Sequence, residues 1–223
     1  MVKQKKRKRR LKVGRLFLLL LIISVISFAC IKYVNIPISS VLVTGNEVLT
    51  DQEIIEEASL DDHPSYFGTL SFNVEKKLIK NPYIDSVKVS KGILNIKIKV
   101  KENKVLYIEK DTNEKVTKDG KVKDDKIICV PYLIGSVPND RIDSFIKGMN
   151  KIDKDVLCQM SEIKYDPNDI DLDRYYAYMN DGNSVYLTVN KLKKINKYNE
   201  ILESVGKQNG TLYLDYGDYF EAK

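Results

Sequence analysis

"LNIKIKVKEN", Leu94 to Asn103, alternates strictly between apolar and polar side chains. Successive side chains of a strand point to opposite faces, so Leu94, Ile96, Ile98 and Val100 line one face and Asn95, Lys97, Lys99 and Lys101 the other. A lysine stripe is either the wet side of a half-buried sheet or a surface for an acidic partner such as nucleic acid. Upstream, Ile84, Val87 and Val89 lead into a Ser90-Lys91-Gly92 turn, which makes Leu94 to Val100 the return strand of a hairpin. A helix precedes it, capped by Asn73, carrying Val74, Leu78 and Ile79 and stopped by Asn81-Pro82. Before that lies another. Thr50 and Glu53 form a capping box ahead of Ile54, Ile55 and Ala58, and Val41 to Thr44 with Gly45-Asn46 reads as a short strand and turn. The order is strand, helix, helix, strand, strand.

The choice between the two readings of the stripe depends on the N-terminus. The 223 residues carry 37 Lys and Arg against 31 Asp and Glu. Nine of the bases (Lys3, Lys5, Lys6, Arg7, Lys8, Arg9, Arg10, Lys12 and Arg15) fall in residues 1–15 with no acid among them, which leaves 28 bases against 31 acids elsewhere. "LFLLLLIISVISFACI", Leu16 to Ile31, follows without a charge. With flanking residues, a helix over 13–34 would be about 33 Å long, enough to cross a bilayer, with Arg15 and Lys32 snorkelling outward. The basic tail then holds the N-terminus in the cytoplasm against anionic lipids and everything past residue 36 faces outward. Ser27-Phe28-Ala29 also has the form of a signal-peptidase site, and Ala29-Cys30 faintly that of a lipoprotein; an uncleaved anchor is the favoured reading. All three exclude nucleic acid as a partner of the exterior part.

From Val105 onward short strands dominate. Val105–Ile108, Lys115–Thr117, Val122 and Ile127–Val130 read as antiparallel pieces, "PYLIG" with Pro138 as a connection, and Asp140–Met149 as a helix. Strands follow at Ile163–Tyr165, Arg174–Met179 and Ser184–Val189, then a helix over Lys191–Ser204 and a final strand in "TLYLDYGDYF". The fold class is therefore α+β: a transmembrane helix, a β-α-α-β-β domain, and a second, mainly antiparallel β domain with flanking helices.

No catalytic, cofactor-binding or metal site is expected. His63 is the only histidine and has no sequence-close Cys or His partner. "DPNDIDLD", with Asp166, Asp169, Asp171 and Asp173, fails a calcium-loop test because Arg174 and Asn180 stand where Gly and Glu are required, so it reads as a solvated loop. Cys129 and Cys158 fit either a disulfide or two buried thiols, with free thiols preferred because nothing else resembles a disulfide scaffold. The 14 tyrosines crowd two places, Tyr175, Tyr176 and Tyr178 in one strand and Tyr213, Tyr216 and Tyr219 in the last. A terminal strand is more often an edge with unpaired backbone, so the second group is a candidate anchor for an added peptide strand.

The β-α-α-β-β order directly after an anchor resembles the POTRA domain of the FtsQ/DivIB family of bacterial cell-division proteins. "VTGNEVLTDQEI" and "NPYIDSVKVSKG…LNIKIKVKEN" are similar to that domain's opening strand, turn and helix and to its closing hairpin. "TKDGKV", "VPYLIG", "SEIKY", "NDGNSVYL", "KLKKINKYNEIL" and "GTLYLDYGDYF" resemble landmarks of the family's β domain in order. Lys104 departs from a frequent Pro, and the sequence stops soon after Phe220 without the extended tail of some members, so no tail-dependent role is expected. The resemblance implies domains at 37–104 (POTRA-like) and 105–223 (β-rich), behind a tail at 1–15 and an anchor at 16–36. It implies a non-enzymatic divisome scaffold enriched at the septum, binding FtsL-like and DivIC/FtsB-like proteins and helping recruit or regulate the septal peptidoglycan synthase. Carried over by position, the partner-binding residues are Leu212, Leu214, Tyr216, Gly217, Tyr219 and Phe220, with Lys194 and Tyr198 beside them. A cell-wall enzyme's accessory lipoprotein and a POTRA-bearing transport component are the alternatives.

Overall fold

The apolar run is one 22-residue helix, α1 (Val13–Val34), in a computed structural model that describes residues 13–223. Most of the basic tail lies outside the described residues. From Gly14 to Val34 the helix is long and apolar enough to cross a bilayer, and its most apolar window has no residue buried against the rest of the protein. That fits a single-pass membrane protein.

Beyond α1 come β1 (Ser40–Thr44), α2 (Asp51–Glu57), α3 (Ser71–Leu78), β2 (Ile84–Lys91) and β3 (Asn95–Glu102). The strands form a three-stranded sheet in the order β1-β3-β2, with β1 parallel and β2 antiparallel to the central β3. Ile96, Ile98 and Val100 are buried with Ile54, Val74 and Leu78 of the two helices, while Lys97, Lys99 and Lys101 are exposed. The alternation in the sequence thus marks the sheet's two faces. Leu94 is the exception, since it has φ +55° and belongs to the turn. The capping box forms as read, with Thr50 Oγ1 accepting from Glu53 N–H and Glu53 accepting from Thr50 N–H. Asn73, expected to cap α3, lies inside it: the helix starts at Ser71, and Leu70 at the N-cap makes no side-chain bond.

Two features lock this sheet. Gly45 has φ +90°, and a Cβ there would lie 2.2 Å from the Val100 carbonyl oxygen, so only glycine fits the close approach. At the end of β3, the Glu102 carboxylate accepts the N–H groups of Glu47, Val48 and Leu49 at 3.0, 2.7 and 2.9 Å. The turn after β1 therefore gets its hydrogen bonds from the end of β3.

The remainder comprises β4 (Tyr107–Glu109), β5 (Lys115–Val116), β6 (Lys121–Val122), β7 (Tyr132–Ile134), α4 (Ile142–Met149), α5 (Lys154–Gln159), β8 (Met160–Tyr165), β9 (Arg174–Met179), β10 (Ser184–Thr188), a 3₁₀ helix (Val189–Lys197), α6 (Tyr198–Ser204), β11 (Gly210–Tyr213) and β12 (Tyr219–Ala222). The strands make one nine-stranded sheet ordered β12-β11-β10-β9-β8-β7-β4-β5-β6. Three pairings are parallel, β4–β7, β7–β8 and β10–β11, and the other five antiparallel. One face is buried under helices: the rings of Phe145 from α4 and Tyr175 from β9 stack at 4.5 Å, among Met149, Leu187, Leu192 and Ile195.

Several expectations are corrected. "PYLIG" is strand β7, central to the sheet. Ile127–Val130 is an extended strap without strand pairing; Val122, Ile128 and Val130 pack on the first domain's core, so tertiary burial replaces a ladder there. The 191–204 helix is a 3₁₀ segment followed by α6, and the last strand is broken into β11 and β12. Cys129 and Cys158 are paired in a disulfide, their Cα atoms 4.8 Å apart across 29 residues of sequence. The free-thiol expectation fails because the strap carries Cys129 alongside the end of α5, a proximity that neither local pattern reveals.

The strap and the segment after β3 join the two sheets. Asp124, just ahead of the strap, accepts from the Tyr83 hydroxyl at 2.8 Å and from Lys115 Nζ at 2.7 Å. Burial works against its charge, yet Lys115, Tyr83 and the Lys126 N–H together hold the carboxyl below the usual range. Lys104 donates to the Asn150 and Ile152 carbonyls just past the end of α4. Burial lowers its pKa and Asp153 partly restores it.

Candidate docking edge

Strand β12 is the last strand of the nine-stranded sheet and pairs on one side only, antiparallel to β11. Lys223 N–H donates to the Asn209 carbonyl at 2.9 Å, which sets the alternation. Tyr219 and Glu221 therefore exchange bonds with β11, while Phe220 and Ala222 turn their N–H and C=O groups to the open side. An edge of this kind is a template for an extended peptide. It is built on Gly210, where a Cβ would lie 2.1 Å from the Glu221 carbonyl oxygen and 2.6 Å from the Phe220 ring.

The connection from β11 to β12 projects beyond the sheet. Gly217 and Asp218 have φ +98° and +51°, so the chain reverses sharply, and Tyr216 at its tip is 82% exposed. The 3₁₀ helix holds the tip from the side: Lys191 Nζ donates to the Asp215 carbonyl at 2.8 Å, and Lys194 pairs with the Asp218 carboxylate. Between hairpin and helices runs an open groove lined by Lys194, Lys197, Ile201, Leu214 and Asp218.

The expected partner-binding residues divide here. Tyr216, Gly217, Tyr219 and Lys194 are exposed at or beside the edge, and Phe220 is half-buried against the core. Leu212 and Leu214 are buried on the helix side. Tyr198 is corrected: its side chain is 1% exposed and its hydroxyl donates to Asp181 at 2.8 Å, and burial, with that contact, raises its pKa. It can support the helix but offers a partner nothing.

The structure adds residues that the sequence pattern left scattered. On the sheet face away from the helices, Tyr176, Tyr186, Tyr213 and Tyr219 occupy cross-strand positions on β9, β10, β11 and β12. Their rings follow one another at 4.7, 5.2 and 4.5 Å, and Tyr178 adjoins at 4.7 Å. Lys164 lies over Tyr176 and Arg174 over Tyr186, at 5.1 and 4.5 Å from the ring centres. Tyr213 also donates to Glu221 at 3.1 Å, which raises its pKa. The row of rings braces β12 from below and ends at its open edge. Period-two spacing could have placed Tyr176 and Tyr178 on one face, but only the register joins them to Tyr186, Tyr213 and Tyr219.

Elsewhere, the acidic loop 166–173 is tied down by arginines, Asp166 by Arg174 at 2.7 Å and Asp173 by Arg141. His63 is exposed and donates through Nδ1 to the Ile38 carbonyl at 3.0 Å. Among the described residues no cluster of His, Cys, Asp and Glu is arranged to hold a metal ion.

Residues 36–103 match the family model of the POTRA domain, FtsQ-type. The chain is 28% identical to cell division protein DivIB of Listeria monocytogenes, over 97% of this chain and 85% of that one. It is 29% identical to DivIB of Geobacillus kaustophilus, over 96% and 87%, and 27% identical to DivIB of Bacillus subtilis, over 97% and 87%. A solved structure, the major extracytoplasmic domain of the trans isomer of DivIB from Geobacillus stearothermophilus, aligns at TM-score 0.39 with 24% identity, over 48% of this chain and 96% of that one.

Proposed function

Because the chain belongs to the FtsQ/DivIB family of bacterial cell-division proteins, we propose that it is a non-enzymatic divisome scaffold whose strand β12 receives a strand of a DivIC/FtsB-like partner. In this reading α1 anchors the protein with its N-terminus in the cytoplasm and the basic tail on anionic lipid. Residues 37–104 act as a POTRA unit and 105–223 as the partner-binding unit, both outside the cell and enriched at the septum. FtsL-like protein joins through the same assembly, which helps recruit or regulate the septal peptidoglycan synthase.

The observation that carries this reading is the open side of β12, with Phe220 and Ala222 offering backbone groups beside the exposed Tyr216 and the groove under Lys194. A partner strand would bond the edge, and a flanking helix would fill the groove. The test is a pull-down of the DivIC/FtsB-like protein. Tyr216→Glu leaves the fold unchanged, because the side chain is exposed, and weakens capture; unchanged capture removes the site assignment. For the cellular role, tagged protein is expected at midcell in dividing cells, and an even distribution around the envelope contradicts it.

A further inference from the structure

The first domain is tied to the outer end of α1. After Val34 only Asn35 and Ile36 intervene before Pro37 bridges to Ser65. Ser65 donates its hydroxyl to the Val34 carbonyl, Tyr66 N–H donates to Ile36 at 2.8 Å, and the rings of Tyr33 and Phe67 meet at 4.5 Å. The turn between β2 and β3 belongs to the same cluster: Tyr66 donates its hydroxyl to the Gly92 carbonyl, and Lys91 donates to Thr69 at 2.7 Å while lying 4.1 Å over the Tyr66 ring. Segment 65–69 and the 91–94 turn are thus held at the point where the chain leaves α1.

This end of the domain is apolar where it should be wet. Ile93 is 92% exposed and Leu70 57%, and Phe67 is exposed beside Tyr33. Side chains of this size gathered at one end of a soluble domain mark a surface that is covered by something. With Tyr33 at the interface, the layer within a few ångströms of α1's exit is the bilayer's own interfacial zone, which accepts Phe, Leu and Ile beside a tyrosine and a lysine.

We infer that Phe67, Leu70 and Ile93 form a platform that lies against the outer leaflet and sets the tilt of the POTRA domain over the membrane. The occupant is the apolar interfacial layer of the bilayer, and the warrant is continuity with the anchor. Asp61 and Asp62 are exposed in the preceding turn, so anionic headgroups are not the attraction. The inference rests on α1 being the membrane span.

The test uses the absence of tryptophan from the sequence. Single reporters are introduced into the full chain in lipid nanodiscs: Ile93→Trp and Leu70→Trp on the platform, Phe28→Trp in α1, and Ile170→Trp in the exposed loop of the second domain. Each replaces an exposed side chain. With lipids brominated high in the acyl chain, emission is expected to be lost at Ile93→Trp and Leu70→Trp and kept at Ile170→Trp. The loss should be the same in phosphatidylcholine alone and with added phosphatidylglycerol. Emission kept at both platform reporters while Phe28→Trp is quenched overturns the platform and leaves the anchor standing, with a protein partner as the surface's occupant. Emission kept at Phe28→Trp as well overturns the anchor on which the inference depends. Quenching that appears only with phosphatidylglycerol overturns the apolar account in favour of headgroup charge.

Discussion

Each of the two sheets buries one face under helices and leaves the other open, and the open faces could hardly differ more. On the POTRA sheet the open face carries Lys88, Lys97, Lys99 and Lys101, with Lys88 directly opposite Lys99. On the larger sheet it carries the row Tyr176, Tyr186, Tyr213 and Tyr219. Like charges set opposite one another repel and keep water between them, whereas stacked rings gain contact and stiffen the strands beneath. The lysine face is built to stay wet. The tyrosine face is a brace that runs out to an unpaired edge, and that edge, where docking is proposed, lies at the far end of the chain from the stripe that first draws the eye.

The largest way to disturb the comparison is to cut the link between the two regions. Removing the Cys129–Cys158 disulfide with Cys158→Ser frees a loop spanning 29 residues of sequence and should cost roughly 3 kcal/mol, seen as a lower denaturation midpoint and faster amide exchange along the strap. A midpoint unmoved by reduction would mean that the strap is held by its packing alone. Next is the brace. Tyr186 touches both Tyr176 and Tyr213 and lies under Arg174. Tyr186→Ala is therefore expected to cost about 1–3 kcal/mol and to loosen β12 as well as β10, which exchange at residues 219–222 would report.

The fold was legible in the sequence wherever periodicity and burial agree. Ile96, Ile98 and Val100 alternate because one side of β3 is buried, and Thr50 with Glu53 caps α2 because the two residues suffice by themselves. It failed where the deciding contact is remote. Cys129 meets Cys158 only through the strap, Tyr132–Ile134 is a strand only because β4 and β8 flank it, and Gly217 with Asp218 breaks what reads as one continuous strand. The open sheet edge was legible as a region, since a terminal aromatic strand tends to be an edge. Tyr198 was misplaced because helical spacing cannot tell the side that meets the sheet from the side that meets a partner; the Asp181 contact decides it.

Two smaller effects sharpen the contrast further. Asp124 at the junction has a lowered pKa in the folded protein, so its pairing with Lys115 and Tyr83 stabilises the fold above the ordinary carboxylate range and is lost as pH falls through the depressed folded value. Acid should release the strap in a wild-type protein, and Asp124→Asn should remove that step from the pH dependence. On the lysine face the effect is smallest and opposite in sign to the tyrosines: Lys99→Ala is expected to be neutral or to stabilise by up to about 0.5 kcal/mol, as added salt would, because it relieves the pairing with Lys88. Destabilisation by Lys99→Ala would show that the stripe makes contacts of its own.

The most direct test of the proposed docking edge is residue-resolved amide exchange of the protein with and without the DivIC/FtsB-like protein proposed to bind it. Exchange at Phe220 and Ala222 should slow on binding while the amides of Lys97, Lys99 and Lys101 stay unchanged. Protection that appears along β3 and leaves Phe220 and Ala222 exchanging freely would contradict the account.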